Sequence, residues 1–199
     1  DWAAYLENIL VQRHGSVLEH ADFTFAIEGL SRVCTAELNR HRAGVAISEA
    51  SLRYIRFNED IPMFLPPSLR DNDKNDDDTR RKVQLTKESM TLIVELIQKT
   101  YGDLVKLWDM DNMKDFHTKK VITSLLRRII PLGVAVGAVY TFNIRTLRHI
   151  ITMRCSEGAE EEICYMIGKI AKIMFRDYPK VFAEFEERDG FWVPKYVKV

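Results

Sequence analysis

The stretch Asn143-Ile144-Arg145-Thr146-Leu147-Arg148-His149, running on through Ile150 and Ile151 to Met153-Arg154, decides how the rest of the chain is read. On a helix, Arg145 and His149 are i,i+4 neighbours and share a face, while Leu147, Ile150 and Ile151 can turn to a core. Arg154 lies nine residues beyond Arg145, half a turn off a whole number of turns, so it points elsewhere. Immediately upstream, Pro131 to Thr141 reads as a valine-rich strand. The surrounding apolar run, Ile129 to Phe142, is interrupted by Pro131 and two glycines. It falls short of the roughly 20 apolar residues that span a membrane. A buried strand therefore feeds a helix with one basic face.

Working outward, Trp2, Tyr5, Leu6, Ile9 and Leu10 recur at helical spacing, and His14-Gly15-Ser16 stops that helix. Asp22 to Glu28 alternates, with Phe23, Phe25 and Ile27 on one side, as a strand with one buried face does. Gly29 to Arg42 reads as a second helix and Ser51 to Phe57 as a second, less regular strand. Three prolines keep Ile61 to Leu69 irregular. Arg70 to Arg81, carrying Asp71, Asp73, Asp76, Asp77 and Asp78, reads as a solvated loop. Thr86 to Trp108 is predicted as a long helix with Met90, Ile93, Val94, Ile97 and Tyr101 on its stripe. Thr118 to Arg128 is a further helix. Glu157 to Phe175 is another, with Ile163, Met166, Ile167, Ile170 and Met174 inward, ended by Tyr178-Pro179. Without a repeat or a dividing linker, residues 1–199 read as one α+β domain dominated by helices.

Composition narrows the function. The 199 residues carry 29 basic and 29 acidic side chains, so a bulk nucleic-acid or anionic-membrane partner is not expected. The first residues show no basic-then-apolar leader, and three cysteines without CxxC spacing fit reduced thiols, so a cytoplasmic location is expected. His14, Glu19 and His20 match no zinc spacing, and the aspartate run lacks the glycine and closing glutamate of a calcium loop, so no metal is expected. The phosphate-loop, dinucleotide-fold and nucleophile-elbow motifs are missing.

Arginine is what concentrates. Arg40-His41-Arg42 precedes Ser48-Glu49-Ala50-Ser51-Leu52-Arg53-Tyr54, placing three arginines, a histidine, a carboxylate and two hydroxyls within fifteen residues. Guanidinium groups bind phosphate through paired, charge-assisted hydrogen bonds. The bland alternative is a helix C-terminus where basic residues complement the dipole. With Arg127 ahead of Pro131, and Arg145 and Arg154, the arginines fall in three short segments of a neutral protein. That suits a phosphorylated small ligand such as a nucleotide.

Together these segments resemble the flavin-dependent thymidylate synthase (ThyX) family over nearly the whole chain from Tyr5. His14-Gly15-Ser16-Val17-Leu18-Glu19-His20-Ala21-Asp22-Phe23-Thr24-Phe25 is similar to the family's "GHxSxxEHxxFTF". Glu37 to Tyr54 resembles its "RHRx7S" and "SxRY", Arg127 its "RxxLP" arginine, and Asn143 to Arg154 its "NxRxLxxFLxLR". Four motifs in one order are far more specific than any one of them. Two departures stand out. Eight residues rather than seven separate Arg42 from Ser51, and His149 stands where the family often has Asn.

The resemblance implies a ThyX-like helix-rich fold with a central, mostly antiparallel sheet, and a homotetramer with shared FAD sites. It places Ser16, Arg40, His41, Arg42, Glu49, Asn143, Arg145 and His149 near FAD, with His14 a weaker candidate. It places Glu37, Arg40, Ser51, Arg53, Arg127 and Arg154 at the nucleotide. The implied reaction is C5-methylation of dUMP, or of UMP as in a branch serving polyoxin-type nucleoside antibiotics. Methylenetetrahydrofolate gives the carbon and NADPH reduces the flavin. Arg154 is the implied catalytic residue, stabilising charge on the N3/O4 side of the uracil. A guanidinium keeps its proton, so that role is electrostatic. None of Cys34, Cys155 and Cys164 falls at a motif position, consistent with a flavin route. The inserted residue and His149 motivate the competing reading, a catalytically inactive homologue that still binds flavin or nucleotide.

Overall fold

The computed structural model describes residues 1–57, 60–70 and 76–197. In chain order the elements are α1 (Trp2–Val11), β1 (Asp22–Ser31), α2 (Arg32–Leu38), β2 (Val45–Glu49), α3 (Asp77–Leu107), α4 (Phe116–Leu126), β3 (Ala135–Asn143), α5 (Ile144–Arg154), α6 (Glu161–Asp177), β4 (Phe185–Arg188) and β5 (Phe191–Pro194). Short 3-10 segments lie at Gly15–Glu19, Pro67–Leu69 and Arg127–Ile129. The fold is α+β and helix-rich, as expected. Strands β1, β3 and β2 form a three-stranded sheet with β3 in the middle, and β4 pairs antiparallel with β5.

The chain forms two compact units. The first comprises Asp1–Ala26, Cys34–Ser48 and Val139–Val199; the second comprises Ile27–Val33 and Glu49–Ala138.

In the first unit, Ile9 and Leu10 of α1 are buried with Leu18 and Ile144, and Leu6, Phe23, Val181 and Tyr196 pack against them. Helices α5 and α6 pack on each other. The α6 stripe Ile163, Met166, Ile167, Ile170 and Met174 is buried throughout, as its spacing predicts. Each such side chain contributes about 1.5–3 kcal/mol of transfer free energy. Helix α6 starts at Glu161 rather than Glu157, because the Glu160 carboxylate caps the N–H groups of Glu162 and Ile163 at 2.9 and 3.1 Å.

The hairpin β4–β5 is an element the sequence reading omitted. Its two-residue turn, Asp189-Gly190, has φ of 52° and 83°, the left-handed pair that a tight hairpin requires. Phe175 of α6 anchors the hairpin, with ring centroids 5.5 Å from Phe185 and 4.3 Å from Trp192.

Helix α2 is shorter than Gly29 to Arg42. Strand β1 continues to Ser31. At the other end, Arg40 N–H and His41 N–H turn back to the carbonyls of Glu37 and Leu38, three residues behind each. Those tight bonds end the helix at Leu38 and release Arg40-His41-Arg42 into a loop.

In the second unit, Tyr101, Val105, Met110, Ile122 and Leu126 form one buried cluster. Ile61, Val134 and Val136 form another, contacted by Val94 and Ile97. Helix α3 begins at Asp77, nine residues before the expected Thr86, so residues 77–81 are helix rather than loop. Asp76 accepts from Thr79 N–H at 2.8 Å, and Asp77 and Asp78 complement the dipole in the first turn. Residues 71–75 of the expected aspartate loop lie outside the described residues. Met90 and Ile93, expected on the apolar stripe, are exposed. The expected strand Ser51 to Phe57 is instead a turn, closed by Tyr54 N–H to Ser51 carbonyl at 3.0 Å; the strand stands earlier, at Val45–Glu49. No helix among the described residues is long and apolar enough to cross a membrane.

Candidate functional site

Helix α5 carries the site. Asn143 is its N-cap and accepts from Thr146 N–H at 2.8 Å. Ile144, Leu147, Ile150 and Ile151 are buried. Arg145, Arg148, His149 and Thr152, spaced three and four apart, line a cavity of about 770 Å³. A volume of that order suits an organic ligand or cofactor. The loop after α2 supplies Arg40, His41, Arg42, Ala43 and Gly44, and the turn after α1 supplies Arg13. All of these residues belong to the first unit.

The loop is pinned onto the start of α5. Thr146 Oγ1 donates to the Ala43 carbonyl at 2.8 Å, and Asn143 N–H donates to the Gly44 carbonyl at 3.0 Å. Gly44 has φ of +69°, and a Cβ there would run into the side chains of Asn143 and Thr146. A glycine is therefore required where the arginine loop meets the helix.

Five guanidinium groups, those of Arg13, Arg40, Arg42, Arg145 and Arg148, border the cavity. Two are held by carboxylates. Arg145 donates to Glu19 Oε1 at 2.5 Å. Arg148, 5% exposed, pairs with Glu184, 8% exposed, and also donates to the Val181 carbonyl at 3.2 Å. Arg40 and Arg42 are exposed. The donor set is that of an anion site.

Beside the cavity, Arg154 ends α5 and reaches back to α2. Its Nε donates to His41 Nε2 at 2.9 Å, and its Nη1 donates to Glu37 Oε2 at 2.7 Å. The His41 ring also meets the His149 ring edge-on, at a centroid distance of 6.0 Å. Burial, followed by the positive fields of Arg154, His149 and Arg40, lowers the His41 pKa to about 4. His41 is thus a neutral acceptor at neutral pH, and protonation removes the lone pair that Arg154 uses. The unfolded chain takes up a proton near pH 6.5, before the folded one does. Stability present above that pH is therefore lost progressively as pH falls through about 4. In a proton NMR titration, the His41 ring signal is expected to move near pH 4. A midpoint between 6 and 7 would contradict this neutral, acceptor role.

Of the flavin residues expected from sequence, Arg40, His41, Arg42, Asn143, Arg145 and His149 line this one cavity. Ser16 is exposed on the 3-10 segment and does not line it. His14 precedes that segment. Glu49 belongs to the second unit, where Arg32 Nη1 pairs with it at 2.5 Å. Among the residues expected at the nucleotide, Glu37, Arg40 and Arg154 are in the first unit, and Ser51, Arg53 and Arg127 are in the second. Arg53 Nε donates to Ser124 Oγ at 3.1 Å.

Arg13, Arg148 and Tyr196 also border the cavity without having been singled out. Arg148 stood inside the quoted helix, and its i,i+3 offset from Arg145 was a readable signal. Nothing local marks Tyr196. Burial raises the thiols of Cys34, Cys155 and Cys164, that of Cys155 to about 12, so none is poised as a thiolate. Among the described residues, no group of three or more His, Cys, Asp or Glu is placed to hold a metal ion.

The family model described as "Thymidylate synthase complementing protein" (Thy1) matches residues 1–180. A protein of Mycobacterium tuberculosis named flavin-dependent thymidylate synthase is 33% identical over 187 residues, which is 92% of this chain and 70% of that one. The protein of the same name from Mycobacterium leprae is 32% identical over 184 residues, with the same coverage. The chain belongs to this family, ThyX, and is an enzyme of the thymidylate synthase type.

Proposed function

We propose that the protein is an FAD-dependent methylase of a uridine 5′-monophosphate, dUMP or UMP, taking its carbon from methylenetetrahydrofolate and its reducing equivalents from NADPH. The observation that carries this reading is the arginine-bordered cavity on α5, adjoined by Arg154 with its partners His41 and Glu37. Arg40, Arg42 and Arg145 hold the dinucleotide's phosphates, while Asn143, His41 and His149 supply polar and flat contacts around it. Ser16 and Glu49 complete the proposed flavin set. When bound, FAD supplies the hydride that completes the methyl group.

Uracil C5 is a weak nucleophile, so negative charge drawn toward N3 and O4 must be stabilised. Arg154 does this with a fixed cation, and its two partners set its direction before substrate arrives. Such preorganisation removes a reorientation step from the barrier. Glu37 and Arg40 help to hold the nucleotide, and Ser51, Arg53 and Arg127 are read as further nucleotide-binding groups. The exposed Leu85, Leu92, Ile93 and Leu96 of α3 favour self-association, here proposed as a homotetramer.

The test is direct. Purified protein is titrated with FAD and then assayed for NADPH oxidation and 5-methylated product, with dUMP and UMP in competition. Flavin binding, nucleotide-stimulated NADPH oxidation and methylation of one nucleotide are expected. A colourless protein that takes up no FAD sinks the proposal, and FAD binding without methylation of either nucleotide establishes the inactive-homologue reading. Light scattering on the same sample reads the assembly, with four chains expected.

A further inference from the structure

We propose that the segment Lys195–Val197, which follows β5, is a working part of the cavity, with the Tyr196 ring forming the wall against which one flat ring of the dinucleotide lies. The inference rests on the FAD reading above. It extends that reading to a segment beyond residue 180, where the family match ends.

Five guanidinium groups border the cavity and suit a pyrophosphate, whereas a dinucleotide's ring systems call for flat side chains to lie against. Besides His41 and His149, Tyr196 is the ring-bearing side chain among the described residues that line it. Aromatic faces and edges are the usual contacts for flat heterocycles. Tyr196 is half-buried, packed against the Ile9, Leu10, Leu18 and Ile144 cluster. It borders the cavity as well as that core.

The segment is fastened at several points. Tyr196 N–H donates to Glu184 Oε2 at 3.3 Å, and Lys195 N–H donates to the Glu184 carbonyl at 2.9 Å. The Lys195 ammonium sits 5.1 Å from the Tyr196 ring centroid. The same Glu184 carboxylate pairs with Arg148 on α5. One residue thus ties the segment to the helix that presents Arg145 and His149. The preceding hairpin is fixed by Phe175 against Phe185 and Trp192. A ring held this firmly loses little freedom when a ligand meets it.

The test measures FAD affinity by flavin fluorescence in wild type, Tyr196→Ala, Tyr196→Phe and a chain ending at Pro194, with melting of each apoprotein alongside. Tyr196→Ala and the shortened chain are expected to weaken FAD binding about tenfold, the scale of one lost aromatic contact. Tyr196→Phe is expected to stay within about threefold, since the ring remains. Amide exchange on the wild type gives a second reading that depends on no variant folding, because FAD is expected to slow exchange in residues 191–197. Wild-type affinity in Tyr196→Ala, or exchange unmoved by FAD, overturns the role of Tyr196 and leaves the cofactor reading standing. A wild-type protein that binds no FAD overturns both.

Discussion

Arg154→Ala is expected to give a folded, flavin-binding protein whose methyl transfer is slower by about 10²–10³-fold, the usual cost of deleting one preorganised charge-stabilising donor. The fold should survive because Arg154 and Glu37 retain side-chain exposures of 17% and 29%, so water reaches the groups left behind. The loss should fall mainly on kcat, since in the proposed mechanism charge at N3 and O4 grows on the way to the transition state. Arg154→Lys is a sharper probe. A lysine carries the charge but cannot point two fixed N–H groups at His41 and Glu37 together. Its expected rate lies between those of alanine and wild type. Stopped-flow measurement of methyl transfer with saturating nucleotide checks both variants, and wild-type turnover in Arg154→Ala would show that the role is misassigned.

Arg148→Met is expected to act on stability. It removes one member of a buried ion pair and strands the Glu184 carboxylate away from water. Such half-pairs cost about 3–5 kcal/mol, which for a chain of this size corresponds to roughly 10 °C in melting temperature. The Arg148 guanidinium also lies 5.1 Å from the Phe185 ring, so some packing is lost with it. Adding Glu184→Gln to Arg148→Met removes the stranded charge and should recover part of the loss. Thermal unfolding of the two variants checks this. A single variant melting within 2 °C of wild type would mean the pair is not sealed from solvent, at a slope of about 2–4 °C per kcal/mol.

Much of the molecule was determined locally. Helix α6 follows from a single apolar stripe, and all five of its named residues are buried. Helix α5 follows from the Asn143 cap and the Ile144, Leu147, Ile150 and Ile151 spacing, which alone turns Arg145 and His149 outward. Ordered motifs made the family legible. Where the structure departs from the local expectation, a second local signal competes with the first. Asp76 to Asp78 looked like loop because acidic residues are soluble, yet they cap a helix and complement its dipole. Asp189-Gly190 is a hairpin-turn dipeptide, a signal present in the sequence itself.

Other features were beyond any local reading. Glu37 and His41 converge on Arg154 across more than a hundred residues of sequence. The neutrality of His41 comes first from burial and then chiefly from Arg154, which lies more than a hundred residues away in sequence. The Gly44 requirement exists because Asn143 and Thr146 press against it, and Tyr196 reaches the cavity through Glu184 and the hairpin. Periodicity and caps are properties of neighbouring residues, so the sequence alone determined the helices, the arginine-rich segments and the family. Which arginine meets which carboxylate, and which histidine stays neutral, depends on the packing that brings distant segments together, and only the tertiary structure decided it.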